Sequence, residues 1–288
     1  MRTEISTEGG RGLRQGVRVK LWESGFSALP EPGSCGGGAT GAAVLDEATA
    51  AQVTDRVRDT LERTFEAVAE TGADAVALLT AAAASGRPPT TADLAALRPG
   101  SRTRLQQPGL LSGMGFVAAP GLLGDVPTWL EWWQSGADGE VRPLLLDLDP
   151  AHSARSDYTH WDWYALARDT GRRTVAGPYV DYLCSEEYAM TLSVPVTVGG
   201  RFTGVAAADV YLPRFEAAVL PVMQRLPGPA CLVNARGRVA VSTDARRLGG
   251  SLVKGPDFGA VRGERAVAHG ALRLTPYGGI PLVLVTAG

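Results

Sequence analysis

The chain has 288 residues, with 28 basic side chains against 30 acidic ones and a formal net charge of −2. That length holds one large domain or two small ones with a real core, and so balanced a charge gives no electrostatic reason to expect nucleic acid or an anionic membrane as partner. Cys35, Cys184 and Cys231 are too few and too scattered for a disulfide framework, a pattern that suits a reducing compartment.

Residues 1–43 mix charges with glycine, include the run Gly36-Gly37-Gly38, and read as a flexible leader. No apolar run of the kind a secretory signal needs precedes Trp22. Nor does any stretch of about eighteen uninterrupted apolar residues occur, so no membrane span is expected. On these grounds the expected location is cytoplasmic.

From Asp46 the pattern changes. Val53, Val57, Leu61, Phe65 and Val68 recur at spacings of three and four with charged residues between them, which predicts one long amphipathic helix over 46–84. Gly72 is expected to loosen it, and Gly86 with Pro88-Pro89 to end it. Thr90-Thr91-Ala92-Asp93 has capping-box spacing and opens a short second helix.

Strand signals begin at Leu110. Residues 113–119 form a short apolar run, and 129–134 and 141–148 flank the turn former Gly136-Ala137-Asp138-Gly139. A short helix over 161–168 ends at Gly171, and a second hairpin, 188–198 with 202–210, turns at Gly199-Gly200. Residues 212–226 read as a helix that Pro221 kinks or splits. Two smaller hairpins close the chain, 230–234 with 238–242 and 272–275 with 282–286. A long helix followed by antiparallel hairpins is α+β, not the βαβ alternation of nucleotide folds.

Little points to catalysis. No glycine-rich loop follows a strand or ends in Lys-Ser or Lys-Thr, so no nucleotide cofactor is expected, nor any other. His152, His160 and His269 share no ligand spacing, which argues against a metal site. Nothing brings Cys184 to His160 as a nucleophile pair. Asp209 and Glu186 are the only general-base candidates, and no enzyme is expected.

The segment 158–209 is dense in aromatics and carboxylates: Tyr158, Trp161, Asp162, Trp163, Tyr164, Tyr179, Asp181, Tyr182, Glu186, Glu187, Tyr188 and Asp209. Aromatic faces with one or two carboxylates suit an organic cation, because ring quadrupoles attract the ammonium and the acid compensates its charge. The alternative is core aromatics with carboxylates facing solvent.

The run Trp163-Tyr164, then Tyr179, then Asp209 within Gly204-Val205-Ala206-Ala207-Ala208-Asp209, resembles the ligand-binding region of double Cache sensor domains. The hairpin text around Gly199-Gly200 and the segment 230–249 resemble the same family. The resemblance implies a long N-terminal helix packed on PAS-like antiparallel sheets. It divides the chain into the leader, a ligand-binding module over 44–226 and a smaller second module over 227–288. It also implies that Trp163, Tyr164 and Tyr179 line a pocket in which Asp209 receives the ligand's ammonium. The cluster adds Tyr158, Trp161, Asp162 and Asp181 as further site residues.

Family members that bind amino acids carry an arginine two residues before the Trp-Tyr pair; this chain has Trp161 there. Without that bidentate clamp the implied ligand is an amine lacking a carboxylate, or a quaternary ammonium compound. The expected role is a non-enzymatic, soluble binding protein that reports to a separate regulator or transporter, with the long helix as a possible homodimer contact. A ligand-free scaffold and an amino-acid binder are the alternatives.

Overall fold

The computed structural model describes residues 47–136, 138–149, 151–152, 156–181, 188–261, 263, 265–277 and 280–288, within one compact unit spanning 43–288. The leader therefore lies outside the described residues.

The predicted long helix is α1 (Glu47–Ala84). Its stripe of Val53, Val57, Leu61, Phe65, Val68, Ala75 and Leu79 is at most 4 % exposed, packed against the chain's own sheets. Thr60, Thr64 and Thr71 are buried too, and each returns its hydroxyl to the carbonyl four residues back, which satisfies it within the helix. Gly72 does not loosen α1. It sits where the helix crosses the sheet, and a Cβ there would already touch Ala206 and Val196 at 3.5 Å. The stretch Ala48–Ala84 is also long and apolar enough to cross a bilayer by length and composition, which corrects the expectation that no segment is. The alanine-rich second half of the helix supplies that hydropathy without an unbroken apolar run.

The capping box forms as the spacing predicts: Thr90 N–H donates to Asp93 Oδ2 at 2.8 Å and opens α2 (Thr91–Leu94). A 3-10 turn then leads into α3 (Arg98–Gln106), which the sequence pattern hides because Pro99-Gly100 looks like a break. Pro99 lies in the first turn, where its missing N–H costs nothing.

The first sheet contains β1 (Leu111–Ala118), β2 (Leu130–Ser135), β3 (Val141–Pro143), β4 (Thr174–Val180), β5 (Tyr188–Val198) and β6 (Arg201–Tyr211). Its order is β3-β2-β1-β6-β5-β4, with every described pairing antiparallel. β3 is shorter than predicted and ends at Pro143, which cannot donate to a ladder. The register sends alternate residues to opposite faces. Met114, Phe116, Ala206 and Ala208 meet α1, while Val117, Trp132, Ala176, Val205 and Ala207 meet α4 (Asp162–Thr170) and the 3-10 turn before it. Gly171 caps α4 in the left-handed conformation, φ 62°.

After β6, α5 (Leu212–Met223) runs as one helix with Pro221 in its last turn, so the proline does not split it. The second sheet holds β7 (Ala230–Asn234), β8 (Val239–Ser242), β9 (Val267–His269), β10 (Leu272–Tyr277) and β11 (Ile280–Ala287), in the order β8-β7-β11-β10-β9. The first half of α1, α5, β5 and the inner faces of β7 and β11 share one core, which includes Val57, Leu61, Phe215, Leu232 and Leu284. The architecture is α+β, a long N-terminal helix with two antiparallel sheets.

Candidate ligand-binding site

The face of the first sheet turned away from α1 is built from small residues in its middle. Gly113, Gly115 and Ala207 sit beside Trp132 and Asp209. α4 and the 3-10 turn before it lie over this face, anchored by one hydrogen bond each. Ser193 Oγ on β5 donates to Trp163 O at 2.7 Å, and Tyr158 OH donates to Ala118 O at 2.8 Å. Between helix and sheet a cavity of about 450 Å³ remains, lined by Trp132, Trp161, Trp163, Tyr179, Asp181 and Asp209, with Asp162 at its edge and Leu130, Leu144 and Val180 completing it. That volume is of the size that holds small metabolites.

Three indoles follow one another along the wall. Trp161 and Trp163 have ring centroids 5.7 Å apart, and Trp163 and Trp132 are 6.4 Å apart. At the far end lies Asp209, deep in the domain but open to the cavity. Its Oδ1 accepts a hydrogen bond from Thr191 Oγ1 at 2.6 Å. Thr191 has one hydroxyl proton and gives it to Asp209, so Tyr179, whose OH meets the same Oγ1, is the donor in that second contact. Burial pushes the Asp209 carboxyl up to about 7, the Asp181 charge adds to the rise, and the Thr191 hydrogen bond opposes it. The lining carries three carboxylates, Asp162, Asp181 and Asp209, and no cationic side chain among the described lining residues. Asp162 meets Arg236, which stands outside the cavity, at 2.9 Å.

Six of the eight residues singled out from the sequence therefore line one cavity: Trp161, Asp162, Trp163, Tyr179, Asp181 and Asp209. Tyr158 and Tyr164 do not. Both are 1 % exposed and pack behind the wall, with Tyr164 edge-on to Tyr158 and to Phe202. Burial pushes the Tyr158 hydroxyl up to about 12 and that of Tyr164 higher still, so neither ionises under ordinary conditions. Tyr182, Glu186, Glu187, Cys35 and Cys184 lie outside the described residues. Trp132, Thr191 and Gly113 join the site without a sequence signal of their own. Trp132 and Trp133 are adjacent on a strand and must face opposite ways, but which of them meets the cavity depends on long-range packing.

No metal-binding group of three or more His, Cys, Asp or Glu occurs among the described residues. The site's chemistry is that of an apolar, aromatic box with a buried acid at one end.

Residues 145–217, which contain Trp161, Trp163, Tyr179, Asp181 and Asp209 of the lining but not Trp132, match the model of the first PDC sensor domain of methyl-accepting chemotaxis protein-like proteins. Solved structures align over most of the chain. Methyl-accepting chemotaxis protein X matches with a TM-score of 0.54 at 16 % identity, covering 83 % of this chain and 93 % of that one. The extracellular domain of the histidine kinase mmHK1S-Z3 gives 0.53 at 16 %, covering 81 % and 88 %. The ligand-binding domain of the Campylobacter jejuni chemoreceptor Tlp3, solved with L-norvaline, gives 0.52 at 15 %, covering 83 % and 86 %. The fold is that of the PDC, or Cache, sensor domains. No curated protein matches the chain by sequence.

The Cache match corrects the cytoplasmic expectation. Domains of this fold include the extracellular part of a histidine kinase. The physical reason for the error is plain: a low cysteine count shows only that the fold does without disulfides, which well-packed extracellular domains also do. In this chain the cavity lies in the first of the two sheets, between its outer face and α4.

Proposed function

We propose that this domain is a non-catalytic sensor for a small organic ammonium compound, held in the aromatic cavity of the first sheet. The observation that carries the reading is Asp209: a carboxylate deep in the domain at the end of a box of Trp132, Trp161, Trp163 and Tyr179. Desolvation makes that charge costly on its own, and a ligand cation recovers the cost while the indole faces add cation–π attraction. Trp161 fills the place where amino-acid binders of the family keep their arginine. This favours ligands without an α-carboxylate.

A second reading has one observation behind it. Tlp3, of similar fold, is solved with L-norvaline, so an α-amino acid could occupy this cavity with a different group receiving its carboxylate.

A thermal-shift panel of primary amines such as benzylamine, quaternary ammonium compounds and α-amino acids separates the two. A ligand at a hundred times its Kd adds about 2.7 kcal/mol of stability. Stabilisation by amines alone is the expected result. Stabilisation by α-amino acids alone favours the second reading, and silence across the panel removes both.

A further inference from the structure

The cavity belongs to the first sheet, yet two of its walls are held from the second. Asn234, the last residue of β7, uses both ends of its amide. Its Oδ1 accepts the backbone N–H groups of Arg236 and Arg238, each at 2.9 Å, which shapes the turn into β8. Its Nδ2 donates across to the carbonyl of Gly177 in β4 at 2.6 Å. That carbonyl stands where the β4–β5 register shifts between Ala176 and Tyr179, so residues 177 and 178 have no ladder partner opposite them. Tyr179, two residues further on, is the side chain that reaches Thr191 and through it Asp209. Arg236, on the same turn, grips Asp162, the first residue of α4 and a member of the cavity lining.

One turn of the second sheet thus touches two elements that line the cavity, β4 at the bulge just before Tyr179 and α4 at its first residue. The two contacts are unequal. The Arg236–Asp162 pair is exposed, at 73 % and 50 % of the side chains, and a pair of that kind contributes little. The Asn234 bond is short and partly buried, and its loss leaves a carbonyl in a strand edge without its donor.

We infer that Asn234 is a positioning residue of the cavity, setting the β4 bulge that carries Tyr179, and that the Asn234–Gly177 contact links cavity occupancy to the second sheet. The first half stands on geometry alone; the second rests on the cavity being the ligand site. By reciprocity, a ligand that fixes Tyr179 fixes the β7–β8 turn, and disturbing the turn weakens the ligand by the same factor.

Asn234→Asp is the discriminating variant. It keeps an oxygen for the two turn N–H groups and sets a second oxygen, in place of the donor, against Gly177 O. Hydrogen exchange by mass spectrometry without ligand is expected to quicken about tenfold at 174–180 and to stay unchanged at 111–118. Benzylamine is expected to bind the variant about tenfold more weakly, and to slow exchange at 230–242 in the wild type but not in the variant. Arg236→Ala, at an exposed position, should shift the benzylamine Kd by less than about threefold, and Arg236→Lys should restore it. Unchanged exchange at 174–180 in ligand-free Asn234→Asp overturns the positioning role. Equal protection of 230–242 by benzylamine in variant and wild type overturns the link. If benzylamine does not bind the wild type, the ammonium reading has failed, and the ligand-free comparison still decides the positioning role.

Discussion

Burial raises the Asp209 carboxyl from 3.8 to about 7, and that shift has two consequences of opposite sign. In the ligand-free domain the folded state holds the proton more tightly than the unfolded chain does. Stability should therefore fall as pH rises from about 4 to about 7 and level off above, for the contribution that Asp209 controls. A bound ammonium prefers the ionised acid, so below about 7 the ligand must displace a proton and its affinity should drop about tenfold per pH unit. Calorimetry at pH 6 in buffers of different ionisation enthalpy should show close to one proton released per ligand, and almost none at pH 8.5. An affinity that is flat between pH 5.5 and 8.5 would contradict this. At the same scale, two aromatics that the sequence assigns to the wall belong to the core. Tyr158 and Tyr164 carry the same residue-type signal as Trp161 and Trp163, and only the docking of α4 on the sheet decides which of them meets empty space.

The elements themselves are largely legible in the sequence. A 3.6-residue stripe, a capping box, a glycine cap and two glycine-turn hairpins are local signals, and α1, α2, α4, β5 and β6 follow from them. What is not local is lost: α3 behind its Pro-Gly, the three-residue β9, and the roles of Trp132 and Gly113, which depend on β1, β2 and β6 lying side by side. The two glycines of β1 make a sharp test of that arrangement. A Cβ on Gly113 would stand 2.9 Å from Trp132 Nε1 and 3.4 Å from Asp209 Oδ2, so Gly113→Ala crowds the cavity through side chains that can shift. A Cβ on Gly115 would stand 2.0 Å from the backbone oxygen of Glu131, so Gly115→Ala must push β1 and β2 apart. Gly113→Ala should weaken the ligand about tenfold with little loss of stability, whereas Gly115→Ala should cost at least about 2 kcal/mol in urea unfolding. The reverse ranking in stability would mean the β1–β2 register is wrong.

Across the whole molecule, the proposed division into modules 44–226 and 227–288 cuts the connection between α5 and β7, yet it does not cut between cores. Val57, Leu61 and Phe65 on α1 pack in one cluster with Leu232, Val241, Tyr277 and Leu284 of the second sheet. Residues 44–226 expressed alone should therefore expose this surface and lose cooperative unfolding, while the full chain melts in one transition; a cooperative melt of the fragment would show the modules to be independent. The shared core also joins the cavity's sheet to the second sheet, since α1 packs against both. Asp209 as the ammonium receptor is the central claim. The most direct measurement is a calorimetric titration, at pH 8.5, of the best-stabilising amine into wild type and Asp209→Asn, a variant of equal shape without the charge. The expected result is a loss of at least about thirtyfold in affinity, with the variant's ligand-free stability equal to or above that of the wild type. Equal affinity in the two proteins would contradict it.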